Sequence, residues 1–153
     1  MDDRFFRTSP NDPVRPEILG QAQLNWLIHE LKQSEASFKM IAMGGQVLNS
    51  GAVFENYAVF AEERTELLTR LAEEEITGIV FLTGDRHHTE PSRYEAENGV
   101  VFYYLTTSPF TSKFYDGENN KYRVDGVLVV EHNYAQLDFY GTTKKQNAQD
   151  FYF

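Results

Sequence analysis

Gly78-Ile-Val-Phe-Leu-Thr-Gly-Asp-Arg-His-His, residues 78–88, joins an apolar run to a polar cluster with almost no spacer. Its first part, Ile79–Thr83, is short, β-branched and aromatic, the composition of a strand buried on both faces. Strands of that kind belong to sheets covered by helices, so the fold class turns on this stretch. Gly84 then frees the chain to turn. Ligands in open α/β sheets gather beyond the carboxyl ends of the strands, which is where Asp85 to Glu90 falls.

The flanking segments fit the same class. Residues 21–32 carry Leu24, Leu27, Ile28 and Leu31 at the i, i+3, i+4, i+7 spacing of an amphipathic helix, with Trp26 expected to widen the buried stripe. Residues 38–43 read as a short strand stopped by Gly44-Gly45. A loop follows from 46, and residues 62–75 form a second amphipathic helix with Leu67, Leu68 and Leu71 on one face and acidic residues on the solvated one. Helix, strand, helix, strand predicts parallel strands joined by crossovers. Residues 1–7 read as the end of a further strand entering a proline-rich loop. Segments 100–106, 122–131 and 134–140 are strand-like with no helix between them, and 131–134 reads as a tight turn. The expectation is one α/β domain over residues 1–153, parallel βαβ units followed by antiparallel strands.

Bulk composition narrows the function classes. The chain has 153 residues, 41% hydrophobic and 24% charged, ordinary for a globular domain with a core of its own. Twelve Phe and nine Tyr argue against a disordered segment. A net charge of −9 with only fourteen basic residues, none clustered, argues against a protein that tracks a nucleic-acid backbone. A phosphorylated small molecule stays compatible, because bound cations would supply positive charge locally. With no cysteine, disulfides, thiolate nucleophiles and Cys-based zinc sites are excluded. No apolar run is long enough to span a bilayer, and Met-Asp-Asp-Arg lacks the regions of a signal peptide, so a soluble chain without an export address is expected.

Asp85, Arg86, His87 and His88 are the residues with chemistry to offer. In an extended segment, residues two apart point the same way, so Asp85 and His87 are expected to face one point and Arg86 another. A carboxylate with an imidazole is a partial ligand set for Zn, Mn or Fe, and the carboxylate alone suits Ca or Mg. A solvated polar turn explains the same residues, and two donors do not make a site, since metals normally take three or four protein ligands. His29, beside Ile28 in the first helix, reads as a surface or boundary residue. His132 reads as turn chemistry beside Asn133. Asp2 and Arg4 are better placed. If the opening strand runs parallel to Ile79–Thr83, they emerge on the same rim.

Taken in order, Asp-Asp-Arg-Phe-Phe-Arg, Ile18-Leu-Gly-Gln-Ala-Gln-Leu-Asn-Trp-Leu, Phe38-Lys-Met-Ile-Ala-Met-Gly-Gly-Gln-Val-Leu-Asn, Glu62-Glu-Arg-Thr-Glu-Leu-Leu, Phe81-Leu-Thr-Gly-Asp-Arg-His-His-Thr-Glu and Leu105-Thr-Thr-Ser-Pro-Phe-Thr-Ser resemble the carboxyl-terminal half of alkaline phosphatase D-like (PhoD-like) metallophosphatases. These are members of the calcineurin-like metallophosphoesterase superfamily. The resemblance implies part of a four-layer α/β/β/α sandwich with a two-metal centre at the carboxyl ends of its central strands. Gly84-Asp85-Arg86-His87 matches the last metal block, which makes Asp85 and His87 implied ligands. Asp2 and Arg4 match an Asp-x-Arg near the active site, Asp2 as a further metal ligand and Arg4 as a substrate contact. Gln46 falls where a histidine ligand often stands, and as glutamine it is expected only to line the substrate site. Arg86 and His88 are expected to reach substrate phosphate or assist the leaving oxygen, with surface roles left open.

The implied activity is metal-dependent hydrolysis of a small phosphomonoester or phosphodiester. Fe, Ca, Zn or Mn are the implied ions, two of them in the complete enzyme. No nucleic-acid partner and no membrane segment are expected. The family's earlier blocks, a Gly-Asp segment, an Asp-His-Glu segment and a further asparagine, do not occur in this sequence. The expectation is therefore a half-domain whose remaining ligands lie on a missing amino-terminal half, or on a second copy in a homodimer. A non-catalytic half-domain that binds metal weakly is the alternative. Family members are often exported, so the compartment stays open, and the tail 144–153 departs from the family pattern.

Overall fold

The computed structural model describes residues 1–140. Its elements are α1 (Gln21–Gln33), β1 (Lys39–Ala42), a short 3-10 turn (Tyr57–Val59), α2 (Ala61–Glu73), β2 (Ile79–Thr83), β3 (Glu90–Glu95) and β4 (Val101–Thr106). No helix among the described residues is long and apolar enough to cross a membrane.

Both helices fall where the periodicity puts them. Leu24, Leu27, Ile28 and Leu31 are the buried face of α1, and Leu67, Leu68, Leu71 and Ala72 belong to that of α2. Trp26 does not widen the stripe: it stands 55% exposed, one position off the buried face. Neither helix has a side-chain cap of its own. Glu63 of α2 instead accepts hydrogen bonds from the backbone N–H groups of Ile18, Leu19 and Gly20 at the entry to α1.

The strands form a four-stranded sheet in the order β1-β2-β4-β3. β1 runs parallel to β2 and β2 parallel to β4, while β3 is antiparallel to β4. Ile79, Val80 and Phe81 are all buried, as a strand covered on both faces requires. Ile41, Ile79, Phe81, Phe102 and Tyr104 join the helix leucines in one core. The sheet is thus mixed, as expected, but its antiparallel member is not one the sequence analysis named.

β3 escaped notice because Glu-Pro-Ser-Arg-Tyr-Glu has no apolar alternation and carries a proline. An edge strand tolerates both, since one side of its ladder needs no donor. The expected strands at 122–131 and 134–140 do not form. The first pairs with the sheet only through isolated bridges, Ser92 to Arg123 and Thr89 to Val129, and is held further by the Arg123–Glu90 ion pair. A turn at Asp125-Gly126, with Gly126 at φ +78°, breaks it between them. Residues 134–140 carry no strand, and 131–134 close no hairpin. The opening segment is not a strand either. The Met1 amino group meets the Ala42 carbonyl at 2.8 Å. Asp2 then accepts the N–H groups of Arg4 and Phe5, both at 2.9 Å, which turns the chain at once. The tail 144–153 lies outside the described residues.

Candidate active site

The chain leaves β2 at Thr83 and must pass the end of β4 to reach β3 at the far edge. The six residues Gly84 to Thr89 make that crossing. Gly84 donates to the Gly44 carbonyl at 3.2 Å, and Thr107 donates to Thr83 at 3.0 Å, so the loop is anchored where β1, β2 and β4 all end. It is coiled rather than extended. Asp85 has φ +71° and His87 φ +56°, a left-handed region that asparagine, aspartate and histidine enter more readily than most residues. Successive side chains therefore do not alternate as they would in an extended strand. Asp85, Arg86 and His87 all line one cavity of about 520 Å³, and Arg86 does not face elsewhere.

Arg4 reaches the same cavity from the amino-terminal turn, and Glu55 and Glu118 from two loops. Arg86, with its side chain 11% exposed, meets Glu118 at 2.5 Å and lies 4.3 Å from the centre of the Phe54 ring. Glu118 in turn accepts from Asn49 at 2.5 Å, and Asn49 donates to Gln46 at 2.7 Å. Asn49 and Gln46 are fully buried, so this chain of amides fixes Arg86 from behind. Gln46 consequently supports the site from the interior and is not part of its lining. On the opposite wall, Glu55 binds Arg4 at 2.5 Å and Arg7 at 2.9 Å. Hydrogen bonds from Arg7 and Arg4 pull the Glu55 carboxyl down to about 2.

His87 stacks on Tyr115, ring centroids 5.4 Å apart and 22° from parallel, and its carbonyl accepts the Tyr115 N–H at 3.0 Å. Its Nδ1 is buried with no hydrogen-bond partner among the described residues, so in the tautomer that leaves it unprotonated it can accept a proton donor or a cation. His88 points the other way and is fully buried. Its Nδ1 lies 3.1 Å from the Arg86 carbonyl. A carbonyl can only accept, so Nδ1 carries the proton in that contact. Nε2 lies 3.9 Å from Glu90, which also receives Arg123 and Asn120. Burial pushes the Glu90 carboxyl up, but His88, Arg123 and Asn120 outweigh it and hold it below its ordinary range. His88 thus belongs to a buried polar cluster beneath the loop, away from the cavity.

Of the two opening aspartates, Asp2 is exposed and its carboxylate serves the turn at Arg4 and Phe5. Asp3 is the one that touches the rim: it is 6% exposed and accepts the Gly45 N–H at 2.6 Å. A Cβ at Gly44 would sit 2.9 Å from its oxygens, so any larger residue there would have to push the Asp3 carboxylate off the Gly45 N–H. The pair Gly44-Gly45 was the sequence signal for this contact. Among the described residues, no three His, Asp or Glu groups are arranged to hold a metal ion. Asp85 and His87 fit part of a metal shell, and the residues present do not fit a complete one.

A mixed α/β sheet with a cavity of charged and aromatic side chains at the carboxyl rim of its parallel strands is the class of protein defined here. The PhoD-like phosphatase family matches residues 5–150, and the chain belongs to that family. A solved structure described as "Structure of PhoD" superposes with a TM-score of 0.57 at 20% identity, over 67% of this chain and 22% of that one. At that identity the likeness speaks for the fold, and this chain spans 22% of that protein's length. No curated protein matches the chain.

Proposed function

We propose that the chain supplies one wall of a metal-dependent phosphoesterase site of the alkaline phosphatase D type. In this reading it is a single domain piece, the carboxyl-terminal half of a four-layer calcineurin-like sandwich. Asp85 and His87 are two of the metal donors, and the remaining donors lie outside these residues. The observation that carries the reading is the loop after β2: it brings a carboxylate and an unpartnered imidazole nitrogen to one cavity, with Arg4 and Arg86 beside them. Fe, Ca, Zn and Mn suit a carboxylate–imidazole pair to different degrees, and two ions are proposed for the complete site.

Arg4 and Arg86 are proposed to border the substrate. His88 positions the loop by donating to the Arg86 carbonyl, and Gln46 positions Arg86 through Asn49 and Glu118. Asp2 is committed to its turn and has no part in this assignment. With an incomplete donor set, the described residues support no route for the hydrolysis itself. The same incompleteness favours a second reading, a non-catalytic half-domain that binds metal weakly or pairs with another polypeptide.

The test joins metal titration with turnover of bis-p-nitrophenyl phosphate under Mn, Ca and Fe, for wild type, Asp85→Ala and His87→Ala. Saturable metal binding that weakens about tenfold or more in each variant is expected, with turnover near background. Metal binding untouched by both substitutions would remove the ligand assignment. Brisk metal-dependent turnover abolished by Asp85→Ala would establish a complete site and overturn the half-site reading. No saturable binding at all would leave the non-catalytic half-domain.

A further inference from the structure

Both guanidiniums that line the cavity are already paired, and Asp85 and Asp116 add further carboxylates to its wall. Arg4 is paired with Glu55 and Arg86 with Glu118, each at 2.5 Å. An incoming phosphate therefore finds no guanidinium here whose charge is not already offset by a carboxylate. What the wall offers besides is aromatic. Phe54 is 78% exposed and Tyr115 58% exposed, and both line the cavity. Each ring covers one of two successive loop residues, Phe54 over Arg86 and Tyr115 over His87. Phe54 also holds φ +51°, a left-handed conformation in which a bulky side chain is an outlier. A phenylalanine that is both exposed and strained is disfavoured on two counts, and such residues cluster at ligand clamps.

We propose that Phe54 and Tyr115 form a subsite for the organic group of the phosphoester, selecting a planar ring, aryl or nucleoside, over an aliphatic alcohol. The proposal rests on the cavity being a phosphoester site, and it divides the work within it. The phosphoryl group is left to Asp85 and His87, and the two rings beside them read the ester's ring by stacking. Flat rings stack on exposed aromatic faces with little dependence on their polar substituents. A cavity of about 520 Å³ is within the range that holds a ligand of nucleoside size.

The experiment measures equilibrium binding to the full chain, with and without Mn, by saturation-transfer NMR. The probes are phenyl phosphate, adenosine monophosphate, glycerol phosphate and inorganic phosphate, with phenol and adenosine as phosphate-free controls. The ring esters are expected to bind about tenfold more tightly than glycerol phosphate. Phe54→Ala and Tyr115→Ala should each cut that preference, weakening the ring esters about tenfold more than glycerol phosphate or phosphate, with far-UV circular dichroism as the folding control. The relative affinities of phenyl phosphate and adenosine monophosphate then say which ring source fits better. Equal affinity for ring and glycerol esters, or a preference retained in both variants, would overturn the subsite. If phenol and adenosine bind as well as their phosphates and lose binding in the variants, the ring subsite stands and the phosphoester reading falls.

Discussion

Glu63 accepts three backbone N–H groups, from Ile18 and Leu19 at 2.7 and 3.1 Å through one oxygen and from Gly20 at 2.7 Å through the other. It is fully buried, and it does for α1 what a local cap would do, with a negative charge at the positive end of the helix. Glu63→Ala strands those donors in the interior, so a loss of about 3 kcal/mol is expected in urea unfolding, with Glu63→Gln intermediate. Glu55 carries the pH dependence. Its folded-state pKa of about 2 lies below the ordinary 4.5, so its ion pairs stabilise the fold at neutral pH. That contribution begins to fade as pH falls below about 4.5 and is gone once pH passes through about 2. The side chain is 52% exposed, so solvent screening keeps the effect small. Urea midpoints followed from neutral pH to pH 2 should therefore fall more steeply for wild type than for Glu55→Gln, and parallel curves would remove Glu55 as a contributor. At this scale the sequence singled out Asp85 and His87 as candidate metal ligands, and the structure places both on the cavity wall. His88 and Gln46 turned inward, and Asp3 took the rim position expected of Asp2. Residue type and order say which groups can do chemistry; which way each one points depends on backbone angles that the letters do not carry.

The helices were legible because their apolar residues repeat with the period of the helix itself. Leu67 and Leu71, one turn apart, are both fully buried in α2. Leu71→Ala is expected to cost about 2–5 kcal/mol in chemical denaturation, whereas Thr69→Ala, on the exposed face of the same helix, should stay within about 0.5 kcal/mol. Similar losses in both would mean that the buried stripe has been misplaced. β1, β2 and β4 were legible too, from short apolar runs closed by glycine or polar residues. β3 was not, and the segments 122–131 and 134–140 were read as strands that never formed. Strand propensity is weak without a partner, since a strand is completed by the edge it pairs with. The outer edge of β3 gives the 122–131 segment one bridge, Ser92 to Arg123, and Thr89 just before β3 gives a second, to Val129.

For the whole molecule, the decisive event is that β3 lies at the sheet's far edge and β4 returns between β3 and β2. The loop after β2 is forced across the end of β4, and that crossing lifts Asp85, Arg86 and His87 onto the rim together. The cavity then draws on four separated segments, around Arg4, Phe54, Asp85 and Glu118, which only a closed chain brings within reach of one another. The sequence by itself determined the two helices, three of the four strands and the membership in the PhoD-like phosphatase family, because each rests on a local pattern or on motifs in a fixed order. Tertiary structure alone decided the strand order, the fourth strand, and which side chains share the cavity. Those depend on which edges and faces remain open once the local elements have formed, and that is a property of the assembled chain.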